Sequence, residues 1–401
     1  MLKGKGRILS DSLWSILAMC VLHGTLQLFI YPALNRSFGV ERFGNILYIL
    51  AILNIVAPSC GLAANNVRLL RSRTEHTANG DYLLVLLLQF VIVLVPSLFL
   101  LRSSLQGMAD YLCFSAMCLF TLFRFYGDAE YRMKLDYRGS VLYYCAVVAG
   151  YALGLLLTDR SGQWMLCFTC GELLCFVFQL LRGRIYRSPY APEHWKSVFT
   201  ETAVLAGSYL LYNTVLYLDR IILRNLVDSE AVSTYYVASL LGKTTALLVV
   251  PLSGVLLGHL TKNERKLNRM QFLRSIGITA ALASAAFLLM LAASPIFLRI
   301  FYPDLAESAV GISTLCNLAQ VMSFSAFLLL TILLTVCEAK WQLFIEIAYG
   351  LLFAGVCWLF TAQDGLGGFV IGSLIVNAFY FAGVVAIGVI KIGAAPSEKA
   401  A

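Results

Sequence analysis

Charge is what this sequence has least of. Only 13% of its 401 residues are Asp, Glu, Lys or Arg, about half the share found in a soluble domain. That scarcity excludes intrinsic disorder, which needs many charges and few apolar side chains. With 60% of residues apolar, it also excludes a water-soluble globule, because so much apolar surface cannot all be hidden from water. Enzyme signatures are missing too: there is no HExxH, no GxSxG and no nucleotide-binding glycine loop, and each of those chemistries needs its residues at fixed spacing. Cysteines are present, but all eleven fall in or beside apolar runs. The one CxxC, Cys167 and Cys170, has no second Cys or His pair near it. These thiols therefore read as small apolar packing groups, not zinc or redox ligands. No catalytic residue, metal site or cofactor is assigned.

What the sequence does have is apolar runs of about 20 residues, each long enough to cross a bilayer as a helix. Twelve are predicted, over 12–34, 43–64, 82–101, 107–126, 139–158, 163–182, 199–223, 231–257, 272–294, 307–336, 341–361 and 368–390. The first follows Lys3, Lys5 and Arg7 and continues to Leu34 without a small-residue cleavage site, so it reads as an uncleaved helix. No connection is long enough to fold as an extramembrane domain, which needs at least about 50 residues. The net charge of +8 sits in short segments between the spans, where it suits anionic lipid head groups better than nucleic acid.

Those segments also give an orientation. About 20 of the 30 Lys and Arg lie at the N-terminus, the C-terminus or the even-numbered loops. They include Arg68, Arg71 and Arg73, then Arg182, Arg184, Arg187 and Lys196, then Lys262, Arg265, Lys266 and Arg269. The opposite set holds about seven, Arg36, Arg42, Arg102, Arg160, Arg220, Arg224 and Arg299. The positive-inside rule then expects both termini in the cytoplasm. Trp14, Trp164, Trp195, Trp341 and Trp358 fall at span ends, where an indole prefers to sit.

The hydrophilic loop Arg182 to Lys196, with Pro189 and Pro192, divides the chain six spans from six, over 1–190 and 191–401. The halves are faintly alike. Leu34 to Glu41 joins spans 1 and 2 much as Leu223 to Glu230 joins spans 7 and 8, and Pro58 and Pro251 interrupt spans 2 and 8 at comparable depth. The expected fold is an all-α polytopic membrane protein with about twelve transmembrane helices, in two six-helix lobes around a central cavity. Gly150-xxx-Gly154 and Gly368-xxx-Gly372 would permit close helix approach.

Ionisable and amide groups inside spans are costly, so each needs a route to the interface or a use in a cavity. Span 7 carries Tyr209, Asn213, Tyr217, Arg220 and Arg224 as one polar stripe, with Asp219 beside it above Tyr212 and Ser208. It is expected to face the bundle interior; the alternative is that Asp219 and Arg220 only anchor the helix end near the outer surface. Lys243 lies mid-span with Ser239 and Tyr236, either lining a cavity or neutralised by a nearby carboxylate. Glu172 is central in span 6 and suits a site that binds and releases a proton, or else a structural hydrogen bond. His23 shares a face with Gln27 and Tyr31. Arg124 and Glu346 read as snorkelling to the near interface. Asn54, Asn317, Gln320 and Asn377 fit either a polar cavity or interhelical hydrogen bonds.

The stretch Leu216 to Leu240 resembles the span 7–8 region of polysaccharide-lipid flippases, the Wzx-type O-antigen transporters of the multidrug/oligosaccharidyl-lipid/polysaccharide (MOP) exporter superfamily. The shared pattern is the Asp219-Arg220 pair, a short loop with an acidic residue, and a Tyr-rich start to the next helix. Phe43, Gly44 and Tyr48 resemble the matching part of span 2. The resemblance implies a bacterial inner-membrane protein that moves an undecaprenyl-diphosphate-linked oligosaccharide between leaflets by alternating access. For such a substrate Lys243 and Arg220 are expected to meet the diphosphate, and Arg224, Asn213, Tyr217 and His23 to contribute further substrate contacts. Glu172 or Asp219 is expected to couple movement to H+ or Na+. Partners would be the lipid-linked substrate, membrane lipids, and a polysaccharide polymerase with its chain-length machinery. The first two spans depart from the pattern, offering His23, Gln27 and Asn54 where such cavities often carry arginines. The competing readings are a multidrug or cation exporter of the same superfamily and a membrane-embedded glycan polymerase or ligase.

Overall fold

The structure is a computed structural model that describes residues 2–72, 77–244, 269–333 and 339–394. The eighth predicted span beyond Thr244, with Pro251, and the basic residues Arg73, Lys262, Arg265 and Lys266 lie outside the described residues. Within them every regular element is helical.

The chain runs through α1 (Leu2–Thr25), a π turn (Leu26–Ile30), α2 (Tyr31–Phe38), α3 (Val40–Arg71), α4 (Asn79–Leu100), α5 (Met108–Lys134), α6 (Tyr137–Ser161) and α7 (Met165–Arg182). It continues through α8 (Trp195–Leu226), α9 (Ser229–Ala238), α10 (Leu240–Thr244), α11 (Arg269–Phe301), α12 (Ala306–Leu333) and α13 (Ala339–Ala394). Among the described residues each predicted span falls on helix, the eighth over 231–244 alone. The last two occupy α13 on either side of a break at Asp364 and Gly365, where the backbone leaves helical geometry. By length and composition, nine helical stretches among the described residues could cross a membrane. The difference from twelve arises because α8 is too polar to qualify, the eighth span is described only in part, and α13 counts once.

Contacts group the chain into two compact units, Met1–Leu218 and Asp219–Ala401, so the dividing point lies inside α8. In the first unit α6 packs along α7, α5 lies against both α3 and α7, and α1 packs on α6. Gly150 shows why α6 and α7 can approach so closely: a Cβ there would stand 2.6 Å from the Cys170 carbonyl oxygen and from Gly171 Cα. In the second unit α12 packs against α9, α10, α11 and α13, with Phe272, Leu329, Leu333 and Val384 in its core.

The two loops that look alike in sequence are both short breaks between helices. One turns at Gly39, at φ 79°, a left-handed value that costs glycine nothing. The other is capped by Asp228, whose carboxylate accepts from the Ala231 N–H at 2.7 Å.

The loop between α7 and α8 is bound to the first unit. Glu130, buried at the end of α5, accepts from the Arg184 N–H at 2.8 Å and from Gln179 Nε2 at 2.8 Å, and pairs with Lys134. Asn79 donates to the Arg184 carbonyl at 3.1 Å, and Asp81 accepts from the His194 N–H at 2.7 Å. Hydrogen bonds to a charged acceptor contribute about 1.5–3 kcal/mol each. Glu130→Ala should therefore raise the rate of tryptic cleavage at Arg184 and Arg187 in native membranes by about tenfold or more. An unchanged rate would show that Glu130 does not hold this loop.

Candidate functional site

Two clusters of buried charge collect most of the candidate residues, one in each unit.

The second unit holds Asp219, Arg220, Arg224 and Lys243. The first turns of its sequence are the end of α8, and the rest of the cluster comes from α9 and α10. Asp219 and Arg220 keep only 4% and 7% of their surface exposed, so both side chains are enclosed by protein. One Asp219 carboxylate oxygen accepts from Lys243 Nζ and the other from the Arg220 N–H at 2.9 Å. Lys243 is thus neutralised by a carboxylate, one of the two readings its sequence position left open.

Aromatic rings carry the remaining positive charge. The Arg220 guanidinium lies 4.9 Å from the Tyr236 ring centre and Lys243 Nζ lies 5.4 Å from that of Tyr235, separations at which a cation is attracted to a ring face. Tyr235 is fixed in turn by Phe369, edge-on at 4.8 Å. Arg224 Nε is buried without a hydrogen-bond partner among the described residues. Asn317 supports the backbone beside Lys243: its Oδ1 accepts from the Gly242 N–H at 2.7 Å, and its Nδ2 donates to Ser294 Oγ at 2.9 Å. Asn377 accepts from the Tyr349 hydroxyl at 3.0 Å and donates to the Ser373 carbonyl at 2.8 Å. Both amides are therefore interhelical or intrahelical hydrogen-bond groups.

The first unit holds Glu172 on α7. Arg124 Nε donates to one of its oxygens at 2.6 Å and the Tyr151 hydroxyl to the other at 3.0 Å. The side chains of Arg124 and Glu172 keep 8% and 4% exposure, so Arg124 does not snorkel to the interface as the sequence suggests. The reason is helix length. The predicted span stops at 126, whereas α5 continues to Lys134, about 15 Å further than Arg124 along the helix axis. Arg124 also lies 4.3 Å from the Phe125 ring centre, and His23 on α1 is half-buried.

The π turn after α1 corrects one expected face. A π turn inserts an extra residue, so Tyr31 no longer stands in helical register with His23. Its ring instead packs with Phe43 and Phe168, at 6.3 Å from each.

The lower part of the span 7 stripe bonds to α3. Asn213 donates to Ser59 Oγ at 2.9 Å and Asn66 donates to the Tyr209 hydroxyl at 2.6 Å. Further along, Arg71 grips Glu201 through Nε at 3.1 Å and a terminal nitrogen at 2.6 Å. Tyr217 is half-buried, whereas Ser208 and Tyr212 are exposed, so the face below Asp219 is not interior along its whole length.

Comparison with known proteins follows from this geometry. No family model matches the sequence, and no curated protein is significantly similar to it. Solved structures do resemble it. An inward-facing multidrug resistance MATE family transporter of the MOP superfamily superposes with a TM-score of 0.76 at 13% identity, covering 96% of this chain and 100% of that one. Its outward-facing counterpart gives a TM-score of 0.64 at 13% identity over 97% and 96%. A MOP superfamily transporter from Pyrococcus furiosus, for which a binding pocket of reverse polarity suggests a different function, gives 0.64 at 14% identity over 97% and 96%. This chain has the fold of the MATE transporters of the MOP superfamily.

Proposed function

We propose that the chain is a flippase. It carries an undecaprenyl-diphosphate-linked oligosaccharide, the repeat unit of O-antigen or another polysaccharide, from the cytoplasmic to the outer leaflet of a bacterial inner membrane. Both termini lie in the cytoplasm, and two six-helix lobes alternate access to a central site.

The observation that carries this reading is the sign of the charge gathered in the two candidate clusters. In those clusters four bases, Arg124, Arg220, Arg224 and Lys243, accompany two acids, Glu172 and Asp219, and each of those acids is already bonded to a base. A diphosphate entering hydrocarbon needs fixed positive charge and charge-assisted donors. A cationic drug needs an acid open to receive it.

In this mechanism Asp219 occupies Lys243 while the site is empty. The substrate diphosphate displaces that carboxylate, taking Lys243, Arg220 and Arg224 as donors. The freed Asp219 takes up a proton, or a sodium ion pairs with it, and gives it back when the diphosphate leaves and Lys243 returns. Coupling to an ion gradient then follows from competition for one lysine. Glu172, facing Arg124, is the second group able to exchange a proton in this way. Asn213, Tyr217 and His23 offer the amide, phenol and imidazole that a glycan needs, and the prenyl tail stays in lipid. The polymerase and chain-length machinery would take the product on the far side.

The solved multidrug transporters that share the fold favour a second reading, export of cationic compounds. Deleting the gene separates the two. Surface glycan should disappear, lipid-linked oligosaccharide should accumulate, and sensitivity to cationic drugs should stay unchanged. Drug hypersensitivity with intact glycan would overturn the proposal.

A further inference from the structure

A groove of about 510 Å³ runs between α6 and α7 in the first unit, and Glu172 does not line it. Leu153, Leu156, Leu157, Leu173 and Val177 form its walls, over a floor at Gly150 and Cys170. The four leucines are 40–63% exposed, so the groove opens outward from the helix pair. In a membrane-spanning helix pair, what lies there is the bilayer. The close approach of the two backbones at Gly150 and Gly154 leaves the leucines on each side standing as walls.

Arg160 closes one end of the groove. Ten residues separate it from Gly150, about 15 Å along a helix, which is one leaflet of a hydrocarbon core about 30 Å thick. The groove therefore runs from near the bilayer midplane to the head-group level. Arg160 is exposed and makes no hydrogen bond or ion pair with any described residue. Asp159, also exposed, does not line the groove, since the next residue on a helix is turned by about 100°.

We propose that this groove is a binding site for one anionic phospholipid, an acyl chain lying along the leucines and the phosphate held by Arg160. The occupant is argued from complementarity. An acyl chain matches the apolar walls and the one-leaflet length, and a lipid whose phosphate sits at the interface puts negative charge where the guanidinium stands. A guanidinium binds phosphate through two parallel N–H donors. The site is independent of the substrate residues proposed above.

Native mass spectrometry of the detergent-purified full chain, titrated with phosphatidylglycerol, tests this. The wild type should retain one phosphatidylglycerol and gain thermal stability from it, while diacylglycerol, which lacks the phosphate, should not be retained. Arg160→Gln should weaken retention by about tenfold or more, the loss expected for a charge-assisted hydrogen bond. Leu157→Trp, which fills the groove, should abolish it. Both variants should melt at the wild-type temperature in lipid-free detergent, which separates loss of the site from loss of the fold. Equal retention by wild type and Arg160→Gln would overturn the proposal. So would preferential retention of a polyprenyl phosphate in the same groove.

Discussion

Lys243→Ala is expected to abolish surface glycan while the protein remains in the membrane. The substitution removes the positive charge that the diphosphate would take and leaves Asp219 buried without its base. Breaking a buried pair by removing one partner costs about 3–5 kcal/mol when both groups are enclosed. Lys243 keeps 25% of its side chain exposed, so the stability loss here should be smaller, about 1–3 kcal/mol. The double variant Lys243→Ala with Asp219→Asn separates the two effects. Removing both charges should return the protein to near its wild-type membrane level, yet surface glycan should stay absent because the lysine is still missing. Immunoblotting of membranes and staining of surface glycan read the two quantities separately. Glycan at the wild-type level in the double variant would remove Lys243 from the site.

The second large effect concerns Arg124 and Glu172. Arg124→Ala leaves a carboxylate inside the first unit with only the Tyr151 hydroxyl for a partner among the described residues, and both side chains are almost fully enclosed. The expected loss is about 3–5 kcal/mol, read as a fall in the melting temperature of the detergent-solubilised protein. Arg124→Leu with Glu172→Leu should recover much of that loss, because an apolar pair of similar volume avoids the desolvation of two ions. Stability and coupling can be told apart at Glu172. Glu172→Gln combined with Arg124→Gln leaves no buried charge unpaired and cannot exchange a proton at position 172. If Glu172 couples transport to protons, the variant should remain folded while its transport becomes independent of a pH gradient.

The chain's architecture was largely legible because hydrophobic runs in a bilayer obey one constraint: every backbone polar group must be satisfied within the helix. Runs of the right length therefore became helices, down to the break at Asp364 and Gly365 between the last two. Helix ends were less legible, and the cost shows at Arg124. Hydropathy marks where the apolar run ends, but α5 continues to Lys134, carrying Arg124 inward. The Lys243–Asp219 pair was half-readable. Both residues stood out as expensive groups within spans, but they are 24 positions apart, and nothing in the order of residues says that α10 returns beside the end of α8. The pairing of Arg71 with Glu201, across 130 positions, had no local signal at all. The π turn was likewise invisible, since Leu26 to Ile30 is ordinary apolar helix in composition.

One measurement bears most directly on the central claim. The purified protein would be reconstituted into liposomes that carry a fluorescent undecaprenyl-diphosphate oligosaccharide in both leaflets, and a membrane-impermeant quencher would be added outside. Slow lipid exchange protects roughly half of the label in empty vesicles. With wild-type protein present, the protected fraction should fall as lipid crosses between leaflets, and with Lys243→Ala it should stay as in empty vesicles. A protected fraction unchanged by the wild-type protein, in vesicles where the same preparation drives uptake of a cationic dye, would contradict the account.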